Sequence, residues 1–138
     1  MRTILVLCLL ALGLTLAGCG GKGNTTPEGT AQAFLAAVKS GDAGAVSKLY
    51  DYVAMARSQN SDWDSIPNGQ RGLILKRVAE DRAKELESQI PQMQQTYQDA
   101  KVGTVSENGD QATVQLEGAP SAPPLNLVNR GGRWYVVG

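Results

Sequence analysis

The neighbours of Cys19 make its thiol the clearest candidate for chemistry in this sequence. It follows the small residues Ala17 and Gly18, which come after Leu16 at the end of an apolar run from Ile4 to Leu16. A thiol is a much stronger nucleophile near neutral pH than a hydroxyl, because part of it ionises to the thiolate. Cys19 is therefore the first candidate for a functional residue in this sequence.

The motif Leu16-Ala17-Gly18-Cys19 resembles the bacterial lipobox at all four positions. The basic start at Arg2 and a run shorter than the ~20 apolar residues that span a bilayer are typical of a secretory signal. The resemblance implies that the Cys19 sulfur receives a diacylglyceryl group and that lipoprotein signal peptidase recognises Leu16, Ala17 and Gly18. Two alternatives stay open: a secretory signal cut elsewhere, and an uncleaved amino-terminal helix.

Lipidation would fix both the location and the domain plan of the chain. We expect a signal peptide at 1–18, the lipidated cysteine with a Gly-rich flexible tether at 19–25, and one domain at 26–138. Two or three acyl chains give stable attachment to a lipid bilayer, whereas one chain gives only marginal attachment. The predicted location is extracytoplasmic: the outer membrane if the source has one, otherwise the outer face of the cytoplasmic membrane.

Composition excludes several classes of function. The chain has no histidine, so Ser-His-Asp and Cys-His catalysis and histidine-liganded zinc are excluded. Thirteen basic and thirteen acidic residues give no net charge, and the lack of a basic cluster argues against nucleic acid as a partner. Cys8 lies in the segment to be removed, so the mature domain has no disulfide, and we expect no cofactor.

The residues available for acid–base chemistry are aspartates and tyrosines, namely Tyr50, Asp51, Tyr52, Tyr97 and Asp99. Tyr97 and Asp99 lie in a region with strand signals, where residues two apart share a face. Tyr50 is predicted to pack in the core, and its neighbour Asp51 to be a solvated partner of Lys48 or of a nearby arginine. The candidate pocket or interface residues are Tyr50, Tyr97, Asp99 and Trp134, although a core role is favoured for Trp134.

A calcium site is a weaker possibility. Asn60, Asp62 and Asp64 alternate as the first ligands of an EF-hand loop do. Ser65 stands where that loop needs glycine and Arg71 where it needs glutamate. A solvated acidic loop is favoured, and we predict no metal site.

Three helices are predicted in the first part of the domain. Thr26 caps a helix at 27–40 with a proline at its first position, and Gly41 closes it. A second helix begins after Asp42 and carries Val46, Leu49, Tyr50 and Val53. After a polar loop at 57–69, a third helix runs from 70 to 90 and is ended by Pro91.

Strand signals follow at 93–137. Asn108-Gly109 predicts a hairpin before an alternating strand at 111–117, and Gly131-Gly132 predicts a second tight turn. The fold class is thus α+β, with three amino-terminal helices packed on a four-stranded antiparallel sheet.

The stretches 26–28, 34–42 and 132–137 resemble the nuclear transport factor 2-like (cystatin-like) superfamily, in particular its domains of uncharacterised function on bacterial lipoproteins. The resemblance implies a cone, in which a curved sheet wraps against helices and often encloses a pocket. It also implies possible homodimers through the sheet. Tyr135 and Val137 support that idea, because they make the second face of the last strand apolar as well.

These observations favour a non-catalytic, membrane-anchored domain of the cell envelope that binds a small apolar ligand or an envelope protein. The alternative is a small pocket enzyme of the isomerase or hydratase type that uses Asp and Tyr without histidine. A buried carboxylate facing a tyrosine across a cavity would favour the enzyme.

Overall fold

The computed structural model describes residues 24–138, so the predicted signal segment and Cys19 lie outside the described residues. Helices come first and an antiparallel sheet follows, which confirms the α+β class. The helices are α1 (Pro27–Ser40), α2 (Ala43–Ser47), α3 (Tyr52–Gln59) and α4 (Asn68–Tyr97), with a 3-10 turn at Trp63–Ser65. The strands are β1 (Lys101–Asn108), β2 (Gln111–Glu117), β3 (Leu125–Arg130) and β4 (Arg133–Val136), paired in chain order.

Both ends of α1 form as the sequence predicts. The Thr26 hydroxyl accepts a hydrogen bond from the Gly29 amide at 3.0 Å, and Pro27 takes the first helical position. Gly41 closes the helix at φ 75°, a left-handed conformation that glycine adopts without a steric cost. Local capping rules are therefore sufficient to place this helix.

The predicted second helix is wrong, because the chain forms two short helices, α2 and α3. Asp42 caps α2 as expected, with its side chain accepting from the Ala45 amide at 2.9 Å. The chain then leaves the helix and runs beside β4: the Asp51 amide donates to the Val136 carbonyl at 2.9 Å, and the Val136 amide donates to Leu49 at 2.6 Å. Hydrogen bonds to the exposed edge of β4 thus replace one helical turn.

The prediction that the third helix ends at Pro91 is also wrong. Helix α4 has 30 residues and contains Pro91 in its interior. Proline cannot donate to the carbonyl four residues back, which destabilises a helix by about 3 kcal/mol in isolation. Here the following turns bury Tyr97 and pack Met93 against the core, and this tertiary gain outweighs the missing hydrogen bond. The strand signals at 93–97 therefore lie in a helix.

Two-residue loops join the outer strand pairs of the sheet. Asn108 pairs with Gln111 around a loop that starts at Gly109, whose φ is 62°. Gly131 and Gly132 connect β3 to β4 with φ values of 60° and 84°. Consecutive positive φ angles match the right-handed twist of a hairpin and favour glycine. Both predicted turns are confirmed.

Two apolar clusters of different size hold these elements together. The main core combines α1, α2, the second half of α4 and one face of the sheet; its fully buried side chains include Phe34, Val38, Val46, Val114, Leu86 and Leu127. The small cluster has Ala56, Trp63 and Val78 as its buried members. It lies between α3, the 3-10 turn and the first half of α4.

Helix α1 contacts β1, β2 and β4, whereas α4 packs against α1, α2 and α3. Within residues 24–138, no helix combines the length and the apolar composition needed to cross a membrane.

Candidate functional site

An open cleft lies where the start of α3, the first half of α4 and the ends of β3 and β4 meet. Its volume is about 490 Å³, within the ~300–1,000 Å³ that is usual for ligand pockets. Tyrosine and aliphatic side chains form most of its wall, and three charged side chains stand among them. The lining residues are Tyr50, Asp51, Tyr52, Val53, Leu75, Lys76, Ala79, Arg130 and Tyr135.

A buried ion pair between Asp51 and Arg130 forms one side of the cleft. Nε of Arg130 lies 2.9 Å from both carboxylate oxygens, and its Nη2 lies 2.9 Å from Oδ2. The Asp51 side chain is 2% exposed and that of Arg130 is 38% exposed. The prediction of a solvated Asp51 is wrong, because the chain beside β4 places this carboxylate against Arg130 rather than in water.

Asp51 also caps α3, so its acceptor capacity is used twice. Its Oδ1 accepts from the amides of Val53 and Ala54 at 3.2 and 3.3 Å. A carboxylate offers about four lone-pair sites, and here two backbone amides and the forked guanidinium occupy them. This carboxylate joins α3 to β3 and has no lone pair directed at the cleft for abstracting a proton.

Cationic donors remain available at the rim of the cleft. Within the described residues, Nη1 of Arg130 makes no hydrogen bond, because Nε and Nη2 make the contacts with Asp51. Lys76 is 74% exposed, and its ammonium lies 3.9 Å from Glu80 Oε1, the outer limit of an ion pair. The free charged groups of the cleft are therefore donors.

The tyrosines of the cleft differ in how they are held. The Tyr50 ring packs edge-to-face on Phe34 with centroids 6.5 Å apart, and the Arg82 guanidinium lies 4.8 Å from its centroid. The Tyr52 hydroxyl is 2.6 Å from Ser47 Oγ and also donates to the Ser47 carbonyl. Burial raises the pKa of Tyr52, and the hydrogen bond with Ser47 opposes this shift in part. Tyr52 is thus a neutral, engaged hydroxyl.

Of the four candidate residues predicted from sequence, Tyr50 alone lines this cleft. Tyr97 ends α4 and is buried in the main core, where desolvation and then the proximity of Tyr50 raise its pKa. Asp99 is exposed in the turn before β1, so the prediction that it shares a strand face with Tyr97 is wrong. Trp134 is buried in the main core, the role that the sequence favoured for it.

Sequence reasoning missed most of the remaining lining residues. The capping role of Asp51 could have been predicted, because an aspartate just before a helix can accept hydrogen bonds from the amides two and three residues later. The prediction of one continuous helix through this region hid that role. Arg130 precedes a Gly-Gly turn and gives no local hint of a partner 79 residues earlier.

The acidic loop at 60–64 does not gather into a metal site. Asp64 instead pairs with Arg57, with its Oδ1 3.0 Å from Nη2. Between residues 24 and 138, no three acidic or cysteine side chains are close enough to hold a metal ion.

No protein-family model matches this chain, and no match was found among curated proteins or solved structures.

Proposed function

We propose that this protein is a membrane-anchored lipoprotein of the cell envelope whose domain binds a small, mainly apolar ligand in the cleft between α3, α4 and β3–β4. The observation that carries the proposal is the cleft itself. Its volume of about 490 Å³ and its tyrosine and aliphatic walls suit a ligand with a large apolar part. The ligand would gain free energy mainly by leaving water.

Binding is favoured over catalysis by the state of the groups that an enzyme would use. Asp51 is bound by Arg130 and two backbone amides, and Tyr52 is bound to Ser47. A general base needs a free lone pair within hydrogen-bond reach of the substrate proton. The proposed activity is therefore non-catalytic binding.

The lipid anchor is proposed from the lipobox resemblance, and one contact of the described residues limits how far the domain could lie from Cys19. The Asn24 carbonyl accepts a hydrogen bond from the Trp134 amide at 2.7 Å, so the chain is attached to β4 shortly after the motif. Asn24 is the fifth residue after Cys19, and five residue steps span at most about 18 Å when fully extended. An acylated Cys19 would thus hold the domain close to the bilayer.

A nuclear transport factor 2-like cone is proposed for the fold on similar grounds. Helix α1 contacts three of the four strands, and β1 has a register irregularity between Val102 and Val105. Such an irregularity bends an antiparallel pair, as a curved sheet requires.

Filling the cleft tests the binding proposal. The processed protein would be placed in phosphatidylcholine nanodiscs with a ten-carbon alcohol that carries a photoreactive diazirine, and the adducts mapped by mass spectrometry. We expect labelling of lining residues that excess decanol suppresses. Ala79→Phe should remove this labelling, whereas Ala36→Phe, at an exposed position of α1, should leave it unchanged. Labelling of the lining residues that persists in the Ala79→Phe variant would contradict the proposal.

The anchor has its own test. Cys19→Ser should give an uncleaved precursor without lipid. Cleavage is measured by the size of the protein, and lipidation by incorporation of radiolabelled palmitate. Normal processing and lipid incorporation in this variant would refute the lipobox assignment.

A further inference from the structure

The polar groups at the rim of the cleft restrict which ligands it can take. The lining has three charged side chains: one carboxylate, Asp51, and two cations, Lys76 and Arg130. The carboxylate is 2% exposed and fully engaged. A polar ligand group that enters the cleft therefore meets hydrogen-bond donors and positive charge.

The two cations are held differently. Arg130 is fixed by its forked contact with Asp51, which leaves the unpaired Nη1 in a set orientation at a side chain that is 38% exposed. Guanidinium groups bind carboxylates through directed N–H donors. Lys76 is held less firmly, because its side chain is 74% exposed and its ion pair with Glu80 is long, at 3.9 Å. Together they offer one oriented donor and one adaptable donor.

The charge balance of the lining also favours a ligand with a negatively charged group. Asp51 neutralises Arg130, and Lys76, whose ion pair with Glu80 outside the lining is long at 3.9 Å, gives the lining residues a net positive charge. A cationic head group would meet repulsion here, and a neutral one could accept hydrogen bonds but would gain no attraction between opposite charges. An anionic head group complements both donors, while its tail would lie along Leu75, Ala79 and Tyr135.

We infer that the ligand is an amphiphile with an anionic head, of the chemical class of a single-chain carboxylate, held by Lys76 and Nη1 of Arg130. This inference rests on the proposed binding function and specifies its ligand class.

The test uses the processed protein in nanodiscs of zwitterionic phosphatidylcholine. A ten-carbon fatty acid with a diazirine is the probe, and decanoate, decanol and decyltrimethylammonium are the competitors. We expect adducts on the cleft lining that decanoate suppresses at a concentration at least about tenfold lower than decyltrimethylammonium does. This comparison needs no substitution and so does not depend on how a variant folds.

A matched pair of variants locates the charge. Lys76→Glu should weaken suppression by decanoate about tenfold and leave suppression by decanol unchanged. The control is Lys84→Glu, on the same helix and outside the cleft. Both substitutions place a new carboxylate four residues from Glu80, so they change the net charge and the helix surface alike. Lys84→Glu should bind decanoate as the unsubstituted protein does.

The outcomes separate this inference from the proposal on which it rests. Equal suppression by all three competitors, or no response to Lys76→Glu, overturns the anionic head group and leaves apolar binding in place. Cleft adducts from the alcohol probe without any from the acid probe overturn it too. If neither probe labels the cleft, both the inference and the proposed binding function are wrong.

Discussion

The main core and the small cluster bury apolar surface in different ways. The main core joins α1, α4 and the sheet, and its centre, with Phe34, Leu86 and Leu127, is closed to water. The small cluster has three buried members, Ala56, Trp63 and Val78, and its other apolar side chains are partly exposed. Helix α4 passes through both regions. The two are thus one continuous structure with unequal local packing.

This difference places the cleft at the boundary between a well-packed region and a sparsely packed one. Segments with few buried contacts open more readily than a domain's core, and ligand sites are often found beside them. The Asp51–Arg130 pair crosses this boundary, since Asp51 begins α3 and Arg130 ends β3. We therefore expect the small cluster to open locally while the main core remains folded.

The largest effect should come from Phe34→Ala in the main core. Phe34 is 1% exposed and contacts the rings of Tyr50 and Tyr97 edge-to-face. Removing a buried phenyl ring costs about 3–5 kcal/mol. Chemical denaturation should show this loss in the free energy of unfolding of the whole domain. A loss below about 1 kcal/mol would mean that the main core is not the stability centre.

Asp51→Ala should have the next largest effect, about 2–3 kcal/mol. It removes the α3 cap and leaves the partly exposed guanidinium of Arg130 without its partner. Denaturation with Asp51→Asn as the comparison separates the two roles, because asparagine can still cap the helix. If Asp51→Asn and Asp51→Ala are equally stable, the capping role is refuted.

Trp63→Ala should cost less, about 2 kcal/mol, because the small cluster can collapse around the space that is left. Trp63 is 5% exposed. Hydrogen exchange should become faster at α3 and at the first half of α4 while the amides of α1 and β2 keep their protection. Uniformly faster exchange would show that both clusters unfold as one unit and would remove the distinction between them.

The smallest effect should appear at alkaline pH. Burial raises the pKa of Tyr52, near the small cluster, and of Tyr97, in the main core. The unfolded chain then ionises first, so stability is complete below about pH 10 and falls as pH rises through the folded pKa values. Tyr97→Phe should reduce this alkaline loss of stability, measured by denaturation between pH 8 and 11. An unchanged pH slope in this variant would contradict the assignment.

Local signals in the sequence were sufficient where neighbouring residues decide the structure. Thr26, Gly41 and the two glycine turns act through their own backbone conformation and nearby hydrogen bonds, and each lies where the sequence predicts it. The α+β class follows from the same signals together with the change in apolar periodicity that the sequence shows after Pro91.

The sequence was insufficient where distant contacts decide. Pro91 argues locally for a helix end, but the burial of Tyr97 keeps the helix intact. The sequence predicts a solvated Asp51, but the fold places Arg130, 79 residues later, against its carboxylate. The Asp51–Arg130 contact forms one side of the cleft, and no local signal predicts it, whereas Tyr50 was the one candidate of the sequence that lines the cleft.

Hydrogen exchange of the processed protein in nanodiscs, with and without decanoate, tests the central claim most directly. At a decanoate concentration near ten times its Kd, we predict that exchange slows about tenfold in α3, at residues 75–79 of α4 and in β4. The already protected amides of α1 and β2 should not change. No slowing at the cleft with decanoate or with decanol, or slowing confined to elements away from it, would contradict the assignment of this cleft as the binding site.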